Sequence, residues 1–553
     1  MKNSVQILRN FLDVEKADAI LINSADEFLA EYNILPLNSR YKVTNFSGSM
    51  GDCIVTKDKI YQIADGRYHE QADNEVNHDI VSVLKMKQGS SPINEIVSVL
   101  KKYSTLLVTA NKVSAKFCEN LSKAALKKNI SIKYSNTDPL DDISQNNYTN
   151  VNLIEVSSKI TKYNAEEKFH KFASKLKDDE VLTVTLPVNF SYLTNLRNYD
   201  FPYSAAPRAK AILTNKSLTL FTNSKIPYSF DGLHVKKLSE FRTELSKIEN
   251  KTVLVDKATV SQADFAQISP SNKVKNTNIF DIKSQKYNSE IEHLKSAFYR
   301  TDKVLAKMDK LISSNKQLSE YDLYCAITQY FQEEGAYSQS FKPIIASGAN
   351  SSIIHYSVAS KSKMLKDGDL IMIDCGGYFE GGIATDITRT FVKGTPSEES
   401  RRIYTKVLKS FIHTYTKKYN KDTTWQDIDL TVRKKLQSEK KNGYLFNHST
   451  GHGIGISVHE HPPICAPFDT YAKKFKKNYV FSIEPGLYKQ GVGGVRLENA
   501  VYAKSVSPEL KIEALSHYPF EEKLIDRALL TKTEQKFLEE WQNYYDEKNN
   551  LTV

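Results

Sequence analysis

Four acidic residues in the C-terminal half of the chain lie in strand-like sequence, where an isolated carboxylate is costly to bury. Asp374 ends the apolar run DLIMIDCGG, Asp386 lies near the start of ATDITRTFV, Glu484 lies in YVFSIEPGLY, and Glu498 lies in VRLENAVYA. Acidic side chains are tolerated inside strands when they are paired or bound to a metal ion. The four carboxylates therefore point to a shared site.

A histidine between these acidic segments adds a nitrogen ligand. His452 lies in STGHGIG, where glycines on both sides permit close approach of the backbone to a ligand. Four carboxylates and one imidazole suit Mn²⁺ or Co²⁺ better than the nitrogen- and sulfur-rich surroundings of structural zinc. Five side chains can serve two octahedral ions only if some carboxylates bridge them, with the ions about 3.5–4 Å apart and a water or hydroxide between them. Such an arrangement is typical of a hydrolase.

Each of these residues has a simpler interpretation when it is taken alone. A strand acid can form a salt bridge, and a histidine can be hydrogen-bonded within the core. The conjunction of all five, each flanked by strand-like or glycine-rich sequence, favours the metal centre.

The elements that carry these residues must meet at one end of a sheet. A glycine-rich connection joins the strands of Asp374 and Asp386, and a hairpin there brings both carboxylates to the same end. Because side chains alternate along a strand, Arg496 shares the face of Glu498 and can neutralise or orient the groups that collect there. Cys375 points away from Asp374 by the same alternation and is expected in the core.

The first and second quarters of the chain share a pattern. CIVT-KD-KIYQIAD (Cys53 to Asp65) and AILT-NK-SLTLFTN (Ala211 to Asn223) each predict two strands joined by a two-residue polar turn. Helix-like sequence precedes each hairpin, DEFLAEYNIL in the first case and AEEKFHKFASKLK, followed by the apolar run VLTVTL, in the second. The pattern predicts two α/β domains of similar plan, with chance similarity between short hairpins as the alternative.

A third region opens with a long amphipathic helix. Its apolar residues recur at three-and-four spacing, namely Ile291, Leu294, Phe298, Leu305, Met308 and Ile312. Helical patterns follow at Ser400 to Lys417 and Trp425 to Lys440, and a capping box from Thr531 to Glu534 begins a C-terminal helix. We predict three domains, which cover residues 1–154, 155–286 and 287–553.

Composition excludes several other classes of protein. The 553 residues are 40% hydrophobic and 25% charged, as in ordinary globular domains. The net charge of +11 comes from dispersed basic residues, so neither nucleic acid nor membrane is expected as a partner. The charged start MKNSVQILRNFLDVEKAD is unlike a secretion signal, and the five scattered cysteines contain no CxxC. We expect a cytoplasmic protein with reduced cysteines.

The metal-site pattern resembles a known family. The order Asp374, Asp386, His452, Glu484, Glu498, with the motifs STGHGIG, IEPG and VRLEN, is similar to the signature of the pita-bread metallopeptidases. These include methionine aminopeptidase, prolidase and Xaa-Pro aminopeptidase. FSGSMGDCIVT with DGRY resembles the first domain, and NLRNYDFPYS the second, of the three-domain Xaa-Pro aminopeptidases. The resemblance implies two related N-terminal α/β domains followed by a C-terminal pita-bread catalytic domain of α+β type.

The resemblance also implies a reaction and roles for the ligands. Two divalent ions, Mn²⁺ first and Co²⁺ or Zn²⁺ as alternatives, would be held by Asp374, Asp386 and Glu498, with the last two shared. His452 and Glu484 would complete the shell of one ion. A bridging hydroxide would attack the carbonyl of the first residue of a peptide with proline at the second position. Glu484 would pass the proton to the leaving prolyl nitrogen.

Further residues are implied near the scissile bond. His355 and His459 fall where the prolyl-specific relatives keep histidines that stabilise the oxyanion or orient the peptide. Arg496 would fix a ligand carboxylate or contact the substrate directly. His448 would line the substrate pocket or form a structural hydrogen bond. Tyr356, like Tyr488, would pack on the proline ring or in the core.

Two intervals in the motifs affect the expected loop geometry. Asp374 and Asp386 are twelve residues apart, one more than is usual in the family, so the turn between them is expected to differ in shape. His452 and His459 are seven residues apart, as in shorter bacterial relatives, whereas some three-domain relatives have an insertion there.

Two other functions are compatible with the family. Prolidase cleaves dipeptides, but its usual two-domain chain fits 553 residues poorly. A non-catalytic pita-bread protein that binds a peptide or partner would typically have lost metal ligands, and all five are present here. The resemblance also implies a homodimer.

Overall fold

The computed structural model describes residues 2–30, 33–87, 89–141, 147–460, 464–465 and 474–550. The chain divides into two compact units. Unit 1 comprises Met1–Ser158, Tyr163–Pro202 and Ala206–Phe280, and unit 2 comprises Lys159–Lys162, Tyr203–Ala205 and Asp281–Val553. No helix in the described ranges is both long and apolar enough to cross a membrane.

The first half of unit 1 is a six-stranded sheet with helices on both faces. Its strands are β1 (Ala19–Asn23), β2 (Asp52–Thr56), β3 (Ile60–Ala64), β4 (Val81–Lys85), β5 (Thr105–Thr109) and β6 (Ser131–Ser135). Its helices are α1 (Lys2–Val14), α2 (Ser39–Thr44), α3 (His69–Glu75), α4 (Pro92–Ser98) and α5 (Ala115–Leu126). Side chains of β1 alternate between two cores, since Ile20 packs with Leu8 of α1 and Leu21 packs with Leu121 of α5.

The second half of unit 1 contains another six-stranded sheet. In chain order the strands are β7 (Ile154–Glu155), β8 (Glu180–Val184), β9 (Leu196–Arg197), β10 (Lys210–Leu213), β11 (Leu218–Phe221), β12 (Leu233–Lys236), β13 (Thr252–Val255) and β14 (Lys273–Asn276). β7 and β9 form a separate two-stranded sheet, and the other six form the six-stranded sheet. The helices in this part of the sequence are α6 (Ser158–Thr161), α7 (Ala165–Ala173), α8 (Pro187–Thr194), α9 (Phe241–Ser246) and α10 (Gln262–Phe265).

The two six-stranded sheets have the same plan. Their strand orders are β4-β3-β2-β1-β5-β6 and β12-β11-β10-β8-β13-β14. In both, the third strand in this order pairs antiparallel with its two neighbours, and the other three pairs are parallel. The prediction of two related α/β domains is therefore confirmed, whereas the boundaries at residues 154 and 286 remain predictions.

The predicted hairpins are present with two-residue turns. The backbone N–H of Thr56 donates to the carbonyl of Lys59 at 2.8 Å, and that of Thr214 donates to the carbonyl of Ser217 at 2.9 Å. These hydrogen bonds close turns at Lys57-Asp58 and Asn215-Lys216.

The helix expected over DEFLAEYNIL is wrong for the described part of that segment, which lacks residues 31–32. Asp26 Oδ1 accepts hydrogen bonds from the backbone N–H groups of Phe28 and Ala30, and Leu29 has a φ of 56°. Such side-chain-to-backbone bonds compete with a helix, and a left-handed residue ends one. The helix that precedes the hairpin is α2, whose first turn is capped by the side chain of Asn38.

Among the described residues from 281 to 550, unit 2 contains several short sheets and five α-helices. Its strands are β15 (Ser338–Gln339), β16 (Ile344–Ser347), β17 (Leu370–Cys375), β18 (Gly377–Tyr378), β19 (Ile387–Val392), β20 (Tyr419–Asn420), β21 (Gly451–His452), β22 (Ile464–Cys465), β23 (Val480–Ile483), β24 (Gly486–Lys489), β25 (Gly493–Arg496), β26 (Asn499–Ser505) and β27 (Glu509–Ala514). Its helices are α11 (Asn288–Ser313), α12 (Glu320–Glu333), α13 (Glu398–Thr416), α14 (Trp425–Leu436) and α15 (Lys532–Asn550).

The long amphipathic helix is confirmed as α11, and all six of its predicted apolar residues are buried. Met308 and Ile312 of α11 share a core with Ile371 and Ile373 of β17. Cys375 belongs to the same core, as expected. This helix therefore supports the strand that carries Asp374 on its other face.

The C-terminal helix α15 is also confirmed. Thr531 and Glu534 form the predicted capping box, in which the Thr531 N–H donates to Glu534 Oε2 at 2.8 Å and the Glu534 N–H donates to Thr531 Oγ1 at 3.3 Å. Trp541 of α15 is buried and packs edge-on against Phe411 of α13. The helix thereby closes the core behind β26 and β27.

Replacing the buried side chain of Trp541 should destabilise unit 2. We expect Trp541→Ala to cost about 3–5 kcal/mol, the usual penalty for truncating a buried aromatic side chain. The measurement is the thermal midpoint of unfolding by circular dichroism. Tyr544→Ala on the same helix, where the side chain is 42% exposed, is the control. Equal shifts for the two variants would contradict the packing described here.

Candidate metal centre

Strands β17 and β19 position the first two acidic ligands. They pair antiparallel, with Asp374 opposite Thr388, and Asp386 directly precedes β19. Residues two apart along a strand share a face, so Asp386 lies on the side of Thr388 and Asp374. Position 376 in the glycine-rich turn requires glycine, because a Cβ there would lie 1.8 Å from the carbonyl oxygen of Thr385. The two carboxylates are buried at the same end of the sheet, as the hairpin predicted.

Glu498 reaches the same point from a break between two strands. VRLENAVYA was expected to be a continuous strand, but β25 ends at Arg496 and β26 begins at Asn499. The break occurs because the Glu498 N–H donates to the carbonyl of Thr388 at 3.1 Å, outside the ladder of its own strands. The hydroxyl of Thr388 in turn donates to Glu498 Oε2 at 2.7 Å. Thr388 therefore links the Asp386 and Glu498 segments.

His452 and Glu484 complete the cluster from a second pair of segments. The Glu484 N–H donates to the carbonyl of Thr450 at 2.7 Å, and the His452 N–H donates to Ser482 Oγ at 3.0 Å. His452 Nε2 lies 3.3 Å from Asp386 Oδ2 and 3.7 Å from Glu484 Oε1. Its Nδ1 lies 3.1 Å from the carbonyl oxygen of Gly453. Donation of an Nδ1 proton to that carbonyl leaves Nε2 free to bind a metal ion.

The exposure of the five side chains is uneven. The side chains of Asp374, His452 and Glu484 are 11%, 12% and 13% exposed, whereas that of Asp386 is 5% exposed and Glu498 is buried. The open side of the cluster is therefore the side formed by Asp374, His452 and Glu484.

The residues fit divalent ions. Ligand atoms of Asp386, His452 and Glu498 all lie within 4.8 Å of one another, and adjacent ligands of an octahedral ion are about 3 Å apart. Asp374 Oδ1 and Glu498 Oε1 are buried and accept no hydrogen bond from the described residues. Buried carboxylate oxygens without partners are unfavourable unless a cation satisfies them. The oxygen-rich donor set is the one predicted from the sequence.

Electrostatics also favours bound cations. Burial, and then the neighbouring charges of Asp374 and Glu484, raise the pKa of Asp386 well above its usual value. Burial and the charges of Asp386 and Asp374 do the same to the pKa of Glu498, and burial with the charge of Glu498 raises the pKa of Glu484 to about 8. Among the described residues, the buried guanidinium that binds one of these carboxylates directly is that of Arg496, so additional positive charge would stabilise their ionised forms.

Arg496 holds the Asp374 side of the cluster. Its Nη2 donates to Asp374 Oδ2 at 2.6 Å, and its Nε donates to Thr388 Oγ1 at 3.2 Å. Its Nη1 donates to Tyr488 Oη at 2.9 Å and to the carbonyl of Ile354 at 3.1 Å. The contact with a ligand carboxylate is one of the two arrangements predicted for Arg496.

A hydrogen-bond chain connects Arg496 to His448. Tyr488 Oη accepts from Arg496, so its own proton is available to His448 Nε2, which lies 2.8 Å away. The protonated Nδ1 of His448 then faces the carbonyl of Ser449 at 2.7 Å, with Glu484 Oε2 3.6 Å away. His448 is buried in a structural hydrogen-bond network, and its role in lining the substrate pocket remains a prediction.

The remaining predicted residues lie on two segments beside the cluster. The ring of His459 lies edge-on to that of His452, with centroids 4.2 Å apart. His355 is partly exposed and follows Ile354, whose carbonyl Arg496 binds. The hydroxyl of Tyr356 donates to Glu320 Oε2 at 2.8 Å, and its ring packs in the cluster that contains Tyr488. The roles assigned to His355, His459 and Tyr356 remain predictions.

Sequence reasoning missed several residues that position the site. Thr388 could have been found, because it lies two residues after Asp386 and therefore shares its face. Glu460, which follows His459, forms a buried ion pair with Lys286. The two are 174 residues apart, and no local pattern reveals such a contact.

Comparisons with known proteins agree with this site and fold. Residues 292–505 match the model of metallopeptidase family M24, and residues 144–290 match that of the creatinase/prolidase N-terminal domain. Residues 292–505 thus form an M24 domain with the pita-bread fold, and a domain of the creatinase/prolidase N-terminal type precedes it. A Coprinopsis cinerea protein named "Probable Xaa-Pro aminopeptidase P" is 27% identical over 588 aligned residues, which cover 97% of this chain and 93% of that protein. The resemblance to the three-domain Xaa-Pro aminopeptidases is thereby confirmed.

Solved structures support the same architecture. An X-prolyl aminopeptidase from Caenorhabditis elegans, described as a cytosolic enzyme with a di-nuclear active site, has a TM-score of 0.88 at 21% identity. The alignment covers 98% of this chain and 95% of that one. A recombinant prolidase from Thermococcus sibiricus has a TM-score of 0.53 at 28% identity and covers 65% of this chain and 98% of its own. The fold of the C. elegans protein thus accounts for nearly the whole chain.

The hydroxyl of Thr388 should be required for tight metal binding. Thr388→Val keeps the shape but removes the hydrogen bond to Glu498 and the acceptor for Arg496 Nε. We expect affinity for Mn²⁺ to fall about 10–100-fold, as is typical when the partner of a metal ligand is lost. Isothermal titration calorimetry measures this change. Thr414→Val is a matched control, since Thr414 is also buried and its hydroxyl bonds the carbonyl of Ser410 within α13. Unchanged affinity in Thr388→Val would contradict the role of Thr388.

Proposed function

We propose that this protein is a metal-dependent aminopeptidase that removes the first residue from peptides with proline at the second position. The observation that carries the proposal is the intact cluster of Asp374, Asp386, His452, Glu484 and Glu498 in an M24 domain. The near full-length similarity to three-domain Xaa-Pro aminopeptidases supports the substrate class. A non-catalytic binding protein is disfavoured because all five ligands are present.

The resemblance to the pita-bread metallopeptidases supplies the proposed ligand arrangement. Asp374, Asp386 and Glu498 would hold two divalent ions, with Asp386 and Glu498 shared, and His452 and Glu484 would complete the shell of one. Two such ions, when bound, supply an activated water as nucleophile and polarise the scissile carbonyl. Mn²⁺ is the proposed native metal, and Co²⁺ and Zn²⁺ are the alternatives that a binding assay distinguishes.

Side chains on the open side of the cluster would handle the proton and the oxyanion. As the water oxygen bonds to the carbonyl carbon, Glu484 takes its proton and returns it to the prolyl nitrogen when the C–N bond breaks. His355 and His459 donate hydrogen bonds to the oxyanion or orient the peptide. Arg496 keeps Asp374 in place, and His448 and Tyr356 border the pocket for the proline ring.

The setting of the reaction is part of the proposal. We infer a cytoplasmic homodimer that takes free peptides as substrates and binds neither nucleic acid nor membrane. Resemblance to the family supports the dimer, and the dispersed basic charge supports the absence of a nucleic-acid partner.

The alternative substrate class is an Xaa-Pro dipeptide, as for a prolidase. The similarity to the Thermococcus sibiricus prolidase leaves about a third of this chain unmatched, because it covers 65%. The Coprinopsis cinerea relative named as an Xaa-Pro aminopeptidase P instead aligns with 97% of this chain, so the aminopeptidase is favoured.

A hydrolysis assay separates these functions. Purified protein is given an Xaa-Pro-Xaa tripeptide, an Xaa-Pro dipeptide and an Xaa-Ala-Xaa tripeptide, with added Mn²⁺ and after chelation. We expect metal-dependent release of the first residue from the Xaa-Pro-Xaa tripeptide alone. Cleavage of the dipeptide alone would identify a prolidase, and no cleavage with two ions bound would refute the substrate class.

A matched pair of variants assigns the activity to the cluster. Asp386→Asn removes a shared ligand and should abolish cleavage, because one neutral amide cannot replace a bridging carboxylate. Asp422→Asn changes an aspartate whose side chain is 57% exposed and should leave the rate unchanged. Cleavage by Asp386→Asn at the wild-type rate would show that the activity does not depend on this cluster.

A further inference from the structure

Glu320 is a buried carboxylate outside the metal cluster. It is the first residue of α12 and is fully shielded from solvent. Its carboxylate accepts five hydrogen bonds, all from uncharged groups between residues 347 and 360. On Oε1 the donors are the N–H (2.8 Å) and Oγ (3.0 Å) of Ser347 and Nδ2 of Asn350 (3.0 Å), and on Oε2 they are Oη of Tyr356 (2.8 Å) and the N–H of Ser360 (3.1 Å).

One side chain therefore fixes a whole segment. Burying a carboxylate is costly, and here donors from this segment offset that cost. Because three of the donors are side-chain groups and two are backbone N–H groups, Glu320 sets both the course of the chain and the orientation of Asn350 and Tyr356. Asn350 Nδ2 also donates to Tyr356 Oη at 3.1 Å, which closes the network.

The same segment carries His355. His355 lies between two groups bound by Glu320, those of Asn350 and Tyr356. On its other side, the carbonyl of Ile354 accepts a hydrogen bond from Arg496 Nη1 at 3.1 Å. Arg496 also binds Asp374, so the backbone of His355 is held between the Glu320 network and the metal cluster.

We propose that Glu320 is a positioning residue that keeps His355 in the conformation used for catalysis. It acts through Tyr356 and Asn350. The inference rests on the proposed function, in which His355 contacts the reacting peptide. The proposal requires two carboxylate oxygens that accept hydrogen bonds and donate none, at a position outside the set of metal ligands.

The substitution that tests this role is Glu320→Gln. Glutamine has the same shape, but one of its two ends is an NH2 group, which donates hydrogen bonds. Three donors face Oε1 and two face Oε2. In either orientation of the glutamine amide, its NH2 group would therefore face groups that also donate hydrogen bonds. Tyr356→Phe is a milder second variant, because it removes the tyrosine hydroxyl and leaves the other four hydrogen bonds to Glu320 in place.

A double-mutant cycle distinguishes positioning from general stability. We expect Glu320→Gln to lower kcat/KM for an Xaa-Pro-Xaa tripeptide on the order of tenfold in the wild-type background. In the His355→Ala background the same substitution should change kcat/KM less than about twofold, since the residue it positions is gone. Equal effects in both backgrounds would overturn the proposal.

Asp322→Asn is the control on the same helix end. Asp322 Oδ2 accepts from the N–H and Oγ of Ser319, at 2.8 Å and 2.7 Å, and caps α12 without contacting the His355 segment through these bonds. We expect this variant to lower the thermal midpoint while kcat/KM stays near the wild-type value. An equal loss of kcat/KM in Asp322→Asn would show that stability of α12 alone explains Glu320.

A spectroscopic measurement tests the inference without any substrate. Among the twelve histidines, the imidazole signals of His355 are identified in isotope-labelled protein by their loss in His355→Ala. We expect Glu320→Gln and Tyr356→Phe to shift these signals and Asp322→Asn to leave them in place. If the wild type cleaves no Xaa-Pro peptide, the proposed function fails while this readout still decides the inference. Unshifted His355 signals in Glu320→Gln would refute it.

Discussion

The concentration of negative charge at one point in unit 2 is the constraint on which the rest of its structure depends. Four carboxylates meet there, three of them buried, and the buried guanidinium of Arg496 forms an ion pair with Asp374. Burial and mutual repulsion raise the pKa values of Asp386, Glu484 and Glu498, which means that the ionised cluster is unfavourable without further positive charge. In the proposed function, divalent ions would supply that charge and would bind the oxygens of Asp374 and Glu498 that accept no hydrogen bond from the described residues. Metal binding would then offset the cost of bringing these carboxylates together.

The ligands are held in place mainly through the backbone and through short hydroxyl side chains. Thr388 joins Asp386 to Glu498, and Ser482 and the carbonyl of Thr450 fix the His452 and Glu484 segments. These contacts involve uncharged groups, so they add no further negative charge to the cluster. Charged residues outside the cluster support the segments of His355 and His459. The Lys286–Glu460 ion pair adjoins His459, and Glu320 binds the His355 segment. In the proposed function, this arrangement separates the residues that would bind metal from those that would orient the peptide.

Much of this organisation could be predicted from the sequence, because the relevant signals are local. The three-and-four spacing in α11, the polar turns of the two hairpins and the glycine-rich link between Asp374 and Asp386 each determine an element within a few residues. The strand expected through Glu498 is broken because Thr388, 110 residues earlier, takes its backbone N–H and binds its side chain. The helix expected over DEFLAEYNIL fails because Asp26 binds the backbone next to it. Glu320 and Lys286 were missed since their partners are distant in the sequence.

Metal stoichiometry in the wild-type protein tests the central claim most directly. Metal-free protein is titrated with Mn²⁺ in a calorimeter, and the bound metal is counted independently by elemental analysis of the dialysed complex. The account predicts two ions for each chain and a higher thermal midpoint in the loaded protein, because the ions relieve repulsion that exists only in the folded state. Binding of no Mn²⁺, Co²⁺ or Zn²⁺, or binding without any gain in thermal midpoint, would contradict it.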